Sequence, residues 1–134
     1  MSKLQEALER GEFAVTAEMA PPKGTDLSHL LECAKMCVGR VHAANVTDFQ
    51  SAVMRATSLA TCKLLKDIGL EPVIQMTGRD RNRIAIQGEM LSAGVFGIKN
   101  MLALTGDHTV VGDHPQAKGV FDLDCIGILQ TAET

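Results

Sequence analysis

The feature that most constrains this chain is a repeat. Short apolar runs end at Glu18, Thr47, Gln75 and Thr105, at successive spacings of 29, 28 and 30 residues, and each is followed by a segment with helical spacing of apolar residues. Phe13 to Ala17, Val41 to Val46, Val73 to Met76 and Met101 to Leu104 read as strands. The helices read as Met1 to Arg10, a segment capped by Asp26 with Leu27, Leu30, Leu31, Ala34 and Val38 on one face, Val53 to Leu64, and Arg81 to Gly94. Ile86, Met90 and Ala93 should form the buried face of the last of these. Beyond a polar loop from Gly106 to Gly119, Asp122 or Asp124 caps a further helix that runs to the chain end near Thr134.

Strict alternation of strand and helix implies a parallel α/β sheet, because parallel neighbours need a crossover connection. Eight units of this length would take about 240 residues, the size of a TIM-type barrel, and 134 residues supply half. The expected fold is therefore a single domain over 1–134, four parallel strands alternating with helices, with two open sheet edges and a large apolar inner face. The rival is a doubly wound open sheet. It needs a phosphate loop, and no G-x-G-x-x-G follows the first strand.

Composition narrows the function. A net charge of −3, with no one-sided Lys/Arg cluster, argues against a nucleic-acid or anionic-membrane surface. No apolar run reaches the length of a membrane span and no export signal is visible, so a cytoplasmic protein with reduced Cys33, Cys37, Cys62 and Cys125 is expected. Cys33 and Cys37 lie one helical turn apart, but helix packing is the simpler reading than a metal site, and His108, Asp113 and His114 show no ligand spacing.

Catalytic groups of parallel βα folds gather at the C-terminal ends of the strands, which here places Glu18, Thr47, Asp48, Gln75, Thr77 and Asp107 around one mouth. Glu18, directly after an apolar strand, should be partly desolvated and hold its proton above the usual value of about 4.3, as a general acid requires; pairing with Lys23 is the simpler alternative. Asp107, after Gly106, reads either as a carboxylate facing that mouth or as a turn residue. Arg79, Arg81 and Arg83 stand where a helix start disfavours cations, which suggests an anionic cofactor or carboxylates elsewhere in the fold, against the simpler reading of a solvated helix start.

Taken in order, Thr-Ala-Glu-Met-Ala-Pro-Pro-Lys-Gly (16–24), Asn-Val-Thr-Asp (45–48), Glu-Pro-Val-Ile-Gln-Met-Thr (71–77), Arg-Asp-Arg-Asn-Arg (79–83) and Leu-Ala-Leu-Thr-Gly-Asp (102–107) resemble the methylenetetrahydrofolate reductase family. The resemblance spans essentially the whole chain, one segment per βα unit, and corresponds to the N-terminal half of that family's (β/α)8 barrel. It implies FAD at the strand ends, NADH, NADPH or another electron donor, and ping-pong reduction of 5,10-methylenetetrahydrofolate to 5-methyltetrahydrofolate. On the same resemblance Glu18 is the general acid, Asp107 lies near flavin and pterin, and Thr47, Gln75, Leu104, Thr105, Gly106 and Asp107 line the flavin. Many members carry His where Gln75 stands and Arg where Thr105 stands. A half barrel of this kind should self-associate, pair with a second chain, or be an excised piece of a longer protein. The alternatives are a non-catalytic half-barrel assembly module and a pterin enzyme that transfers methyl groups without flavin.

Overall fold

The computed structural model describes residues 1–133. In chain order the elements are α1 (Lys3–Glu9), β1 (Thr16–Met19), α2 (Ser28–Cys37), β2 (Ala43–Val46), α3 (Ser58–Asp67), β3 (Pro72–Thr77), α4 (Arg83–Val95), β4 (Asn100–Leu104) and α5 (Cys125–Ala132). Two 3₁₀ turns, Gln50–Ala52 and Thr109–Val111, interrupt the loops after β2 and β4. The four strands form one parallel sheet in the order β1-β2-β3-β4. A doubly wound sheet must reverse its strand order at a switch point. This order never reverses, so the architecture is half of a TIM-type barrel.

Alternation along the strands separates two faces. Met19, Ala44, Val46, Ile74 and Met76 pack against Ala34 of α2, Cys62 and Leu65 of α3 and Ala93 of α4. Full burial of an aliphatic side chain of this size contributes about 1.5–3 kcal/mol. The opposite face carries Thr16, Glu18, Asn45, Gln75 and Thr77 interleaved with Val73, Leu102 and Leu104. The expected apolar inner face is therefore corrected to a mixed one, because the alternation sends Met19, Ala44, Val46, Ile74 and Met76 to the helices.

Several boundaries differ from expectation. β1 begins at Thr16, and Phe13 is 90% exposed. β1 pairs only with β2, whose register starts opposite Thr16, so Phe13 has no strand beside it. α2 begins one residue after the expected start, with Asp26 accepting from the Ser28 amide at 3.0 Å. α3 starts at Ser58 behind a Thr57 cap, leaving Val53 and Ala56 outside it. Its buried face is Ser58, Thr61, Cys62 and Leu65, with Leu64 more exposed. Hydrophobic periodicity misplaced that face because it includes two hydroxyls, and Ser58 Oγ donates to the Val46 carbonyl at 3.0 Å. α4 starts at Arg83 behind an Asn82 cap, with Ile86 and Ala93 buried as its spacing predicts. Asp124, rather than Asp122, caps α5.

α1 closes the N-terminal end of the sheet. The Glu71 carboxylate accepts from the Lys3 and Leu4 amides at 2.8 and 3.2 Å, taking up donors that a helix start leaves unsatisfied. Asn100 donates to Glu71 at 2.8 Å and accepts from Ser2 Oγ at 2.6 Å. The other end of the sheet is thereby left to the loops that follow β1, β2, β3 and β4.

Candidate functional site

At the C-terminal ends of the strands lies a cavity of about 340 Å³, within the range of small-molecule sites. Its lining includes Glu18, Thr47, Gln75, Leu104, Gly106 and Asp107. Six of the seven residues that the family resemblance assigns to catalysis or the flavin are thus brought together from all four strands. Thr105 does not line the cavity; its Oγ1 accepts from the Cys125 amide at 3.1 Å and so ties β4 to the start of α5.

Glu18 is exposed, which corrects the expected desolvation: β1 is an edge strand with a neighbour on one side only. Its carboxylate makes no hydrogen bond or ion pair among the described residues. Lys23, the alternative partner, instead donates to Asp113 at 2.9 Å. Asp113 also accepts from the Met54 amide at 3.0 Å. The Lys23 hydrogen bond, helped by Met54, pulls its pKa down to about 2. Asp107 is exposed as well, and its carboxylate has no partner among the described residues. Thr47 is only 3% exposed, yet its Oγ1 has no hydrogen-bond partner in the fold. A buried hydroxyl left unpaired costs free energy, so a polar atom entering the cavity would relieve it.

Beneath the cavity lies a charge network that sequence reading left open. The Asp48 side chain is fully buried and accepts from the Thr77 amide at 2.9 Å and from Arg81 Nη1 and Nη2 at 2.6 and 3.1 Å. Burial alone would lower the Arg81 pKa, and the Asp48 carboxylate outweighs it and raises it. Arg81 also lies 5.5 Å over the Phe49 ring. Thr77 Oγ1 donates within reach of both Asp48 and Asp80, at 3.1 and 3.2 Å. Arg79 pairs with Asp80 at 2.7 Å, and exposed Arg83 with Asp122 at 2.9 Å. All three arginines are therefore matched to carboxylates of the chain itself. Two of them precede α4 altogether, so the helix-start reading holds only for Arg83.

The loop after β2 is unusual in its backbone. Phe49, Ser51 and Ala52 have φ of 48°, 57° and 57°, a left-handed conformation that costs free energy in residues other than glycine. At Gly106, φ is 92°, and a Cβ there would stand 3.1 Å from Arg79 Cβ and 3.2 Å from Thr77 Cβ. Glycine is thus required by the fold itself at this position. The burial of Asp48 and Arg79 had no distinctive signal in the sequence, since Asp and Arg after a strand are ordinarily solvated.

No group of three or more His, Cys, Asp or Glu side chains converges as a metal site among the described residues. All four cysteines are free. No helix among the described residues is long and apolar enough to cross a membrane.

A family model described as methylenetetrahydrofolate reductase matches residues 3–130. Among curated proteins, no relative matches the chain.

Proposed function

Because the chain belongs to the methylenetetrahydrofolate reductase family, we propose that it supplies the acid-bearing half of a flavin site that reduces 5,10-methylenetetrahydrofolate to 5-methyltetrahydrofolate. The observation that carries this reading is one cavity containing two unpaired carboxylates, Glu18 and Asp107, and the buried, unsatisfied Thr47 hydroxyl. Both carboxylates are exposed and open to a ligand entering the cavity.

The residues present fit FAD. A flavin ring offers a hydrogen-bonding edge and apolar faces. Thr47 Oγ1, the Gln75 amide and the Gly106 backbone supply polar partners, while Leu104 supplies an apolar one. FAD, when bound, would carry hydride from NADH, NADPH or another donor to the folate. Glu18 serves as the general acid, protonating the folate nitrogen whose release opens the five-membered ring to the reactive iminium. Asp107, across the cavity, accepts a hydrogen bond from the pterin and balances the positive charge of that iminium. Thr105 keeps α5 in place.

The half barrel also leaves strand edges at β1 and β4. Unpaired edges favour further strands, and strands beside β1 would take Glu18 out of water. The test is to incubate the purified chain with FAD, pass it through gel filtration and record the visible spectrum with the elution volume. Flavin co-eluting with a dimer or larger species supports the reading. Colourless protein would defeat the claim that these residues hold the cofactor.

A further inference from the structure

Arg79 follows β3 and is one of the largest fully buried side chains of the chain, at 2% exposure. Its hydrogen bonds go to three different loops. Nη1 donates to the Asp107 carbonyl at 3.1 Å, in the loop after β4, and Nη2 to the Phe49 carbonyl at 3.1 Å, in the loop after β2. Nε and Nη2 hold Asp80 at 3.0 and 2.7 Å, which neutralises the guanidinium within its own loop. The backbone joins in: the Arg79 amide donates to the Thr105 carbonyl at 3.1 Å, and the Arg79 carbonyl accepts from Val120 at 2.7 Å. Both loops need such a hold. The first contains the left-handed Phe49, Ser51 and Ala52, and the second passes through Gly106 against the Arg79 stem.

We infer that Arg79 is the positioning residue of the cavity, fixing the wall that carries Thr47 and Phe49 against the wall that carries Leu104, Gly106 and Asp107. It lines the cavity, and its guanidinium is engaged by two carbonyls and Asp80. It sets where the Asp107 carboxylate stands across from the Thr47 hydroxyl, and its effect on a bound flavin rests on the flavin reading above. The side chain must be arginine because only a planar fork of five donors reaches two carbonyls and a carboxylate together; a lysine ammonium is one point of charge.

Arg79→Lys and Arg79→Met in the full chain separate the fork from its charge and its bulk. Backbone hydrogen exchange is followed in both, with FAD affinity and the flavin absorption band measured alongside. Amides of residues 105–112 and 49–54 should exchange about tenfold faster or more in both variants, while those of Ile74 and Met76 in β3 keep their protection. FAD should bind about tenfold more weakly or worse, with a shifted band, and lysine should not restore either. Wild-type protection of both loops in Arg79→Lys would overturn the inference, as would an unchanged flavin affinity and band. Should Arg79→Met fail to fold, Arg79→Lys decides alone. A wild-type chain that binds no FAD overturns the flavin reading, and the exchange data then decide the role of Arg79 by themselves.

Discussion

Replacing Asp48 with asparagine removes one charge and almost no volume from the network beneath the cavity. The carboxylate is fully buried and Arg81 nearly so, with N–O distances of 2.6 and 3.1 Å. Breaking a buried pair by removing one partner costs about 3–5 kcal/mol, because the remaining charge stays out of water uncompensated. Asparagine keeps one acceptor oxygen, which can serve the Thr77 amide or Arg81 but not all the donors now gathered at Asp48. Against a total stability of about 5–15 kcal/mol, the loss should lower the melting temperature by about 10–20 °C. Urea unfolding followed by circular dichroism, at one protein concentration, reads the effect. Arg81→Met added to Asp48→Asn removes the orphaned cation and leaves the asparagine oxygen for Thr77, so the double variant should regain about 1–3 kcal/mol over Asp48→Asn alone. Asp48→Asn within about 0.5 kcal/mol of wild type, or a double variant equal to the sum of the two singles, would refute the reasoning.

Glu18→Gln, in a preparation that turns over, should leave reduction of the flavin by its electron donor intact and slow folate reduction by about 10²-fold or more; equal folate turnover removes Glu18 from the chemistry. The Lys23–Asp113 pair predicts a pH signature. Asp113 has a folded pKa pulled down to about 2, so the stability it contributes is fully present above about pH 4 and lost as pH falls through 2. The urea midpoints of wild type and Asp113→Asn should therefore differ at pH 6 and converge below pH 2, and a gap that stays constant with pH counts against the pair. Burial, with the Asp48 charge adding to it against a weaker opposing Ser58 hydrogen bond, pushes the Cys62 thiol up to about 12. Under native conditions at pH 8, alkylation should reach the half-buried Cys33, Cys37 and Cys125 well before Cys62, and four equal rates would contradict that.

The repeat of strand ends was legible because each unit carries its own apolar period, and β2, β3 and β4 and the buried face of α4 follow from it. Boundaries failed where a polar group does the packing. Ser58 and Thr61 face the core of α3, and no count of apolar residues could place them there. The edge position of β1 moved its start to Thr16, since a strand extends only as far as its neighbour pairs with it. Six of the seven candidate residues share one cavity because strand ends in a parallel sheet converge whatever the rest of the chain does.

Sequence alone determined the parallel half barrel, its strand ends and its family, because local periodicity and crossover geometry leave few other arrangements for such a chain. Tertiary structure alone decided which charges are spent and which are free. Arg79, Arg81 and Arg83 look alike in a row, as do Asp48, Asp80 and Asp107 at strand exits. Only the convergence of the loops after β2 and β3 matches Arg81 to Asp48, and leaves Asp107 with Glu18 unpaired at the mouth. A pairing between residues about 30 positions apart depends on where the backbone carries them, and one-dimensional order contains no distance.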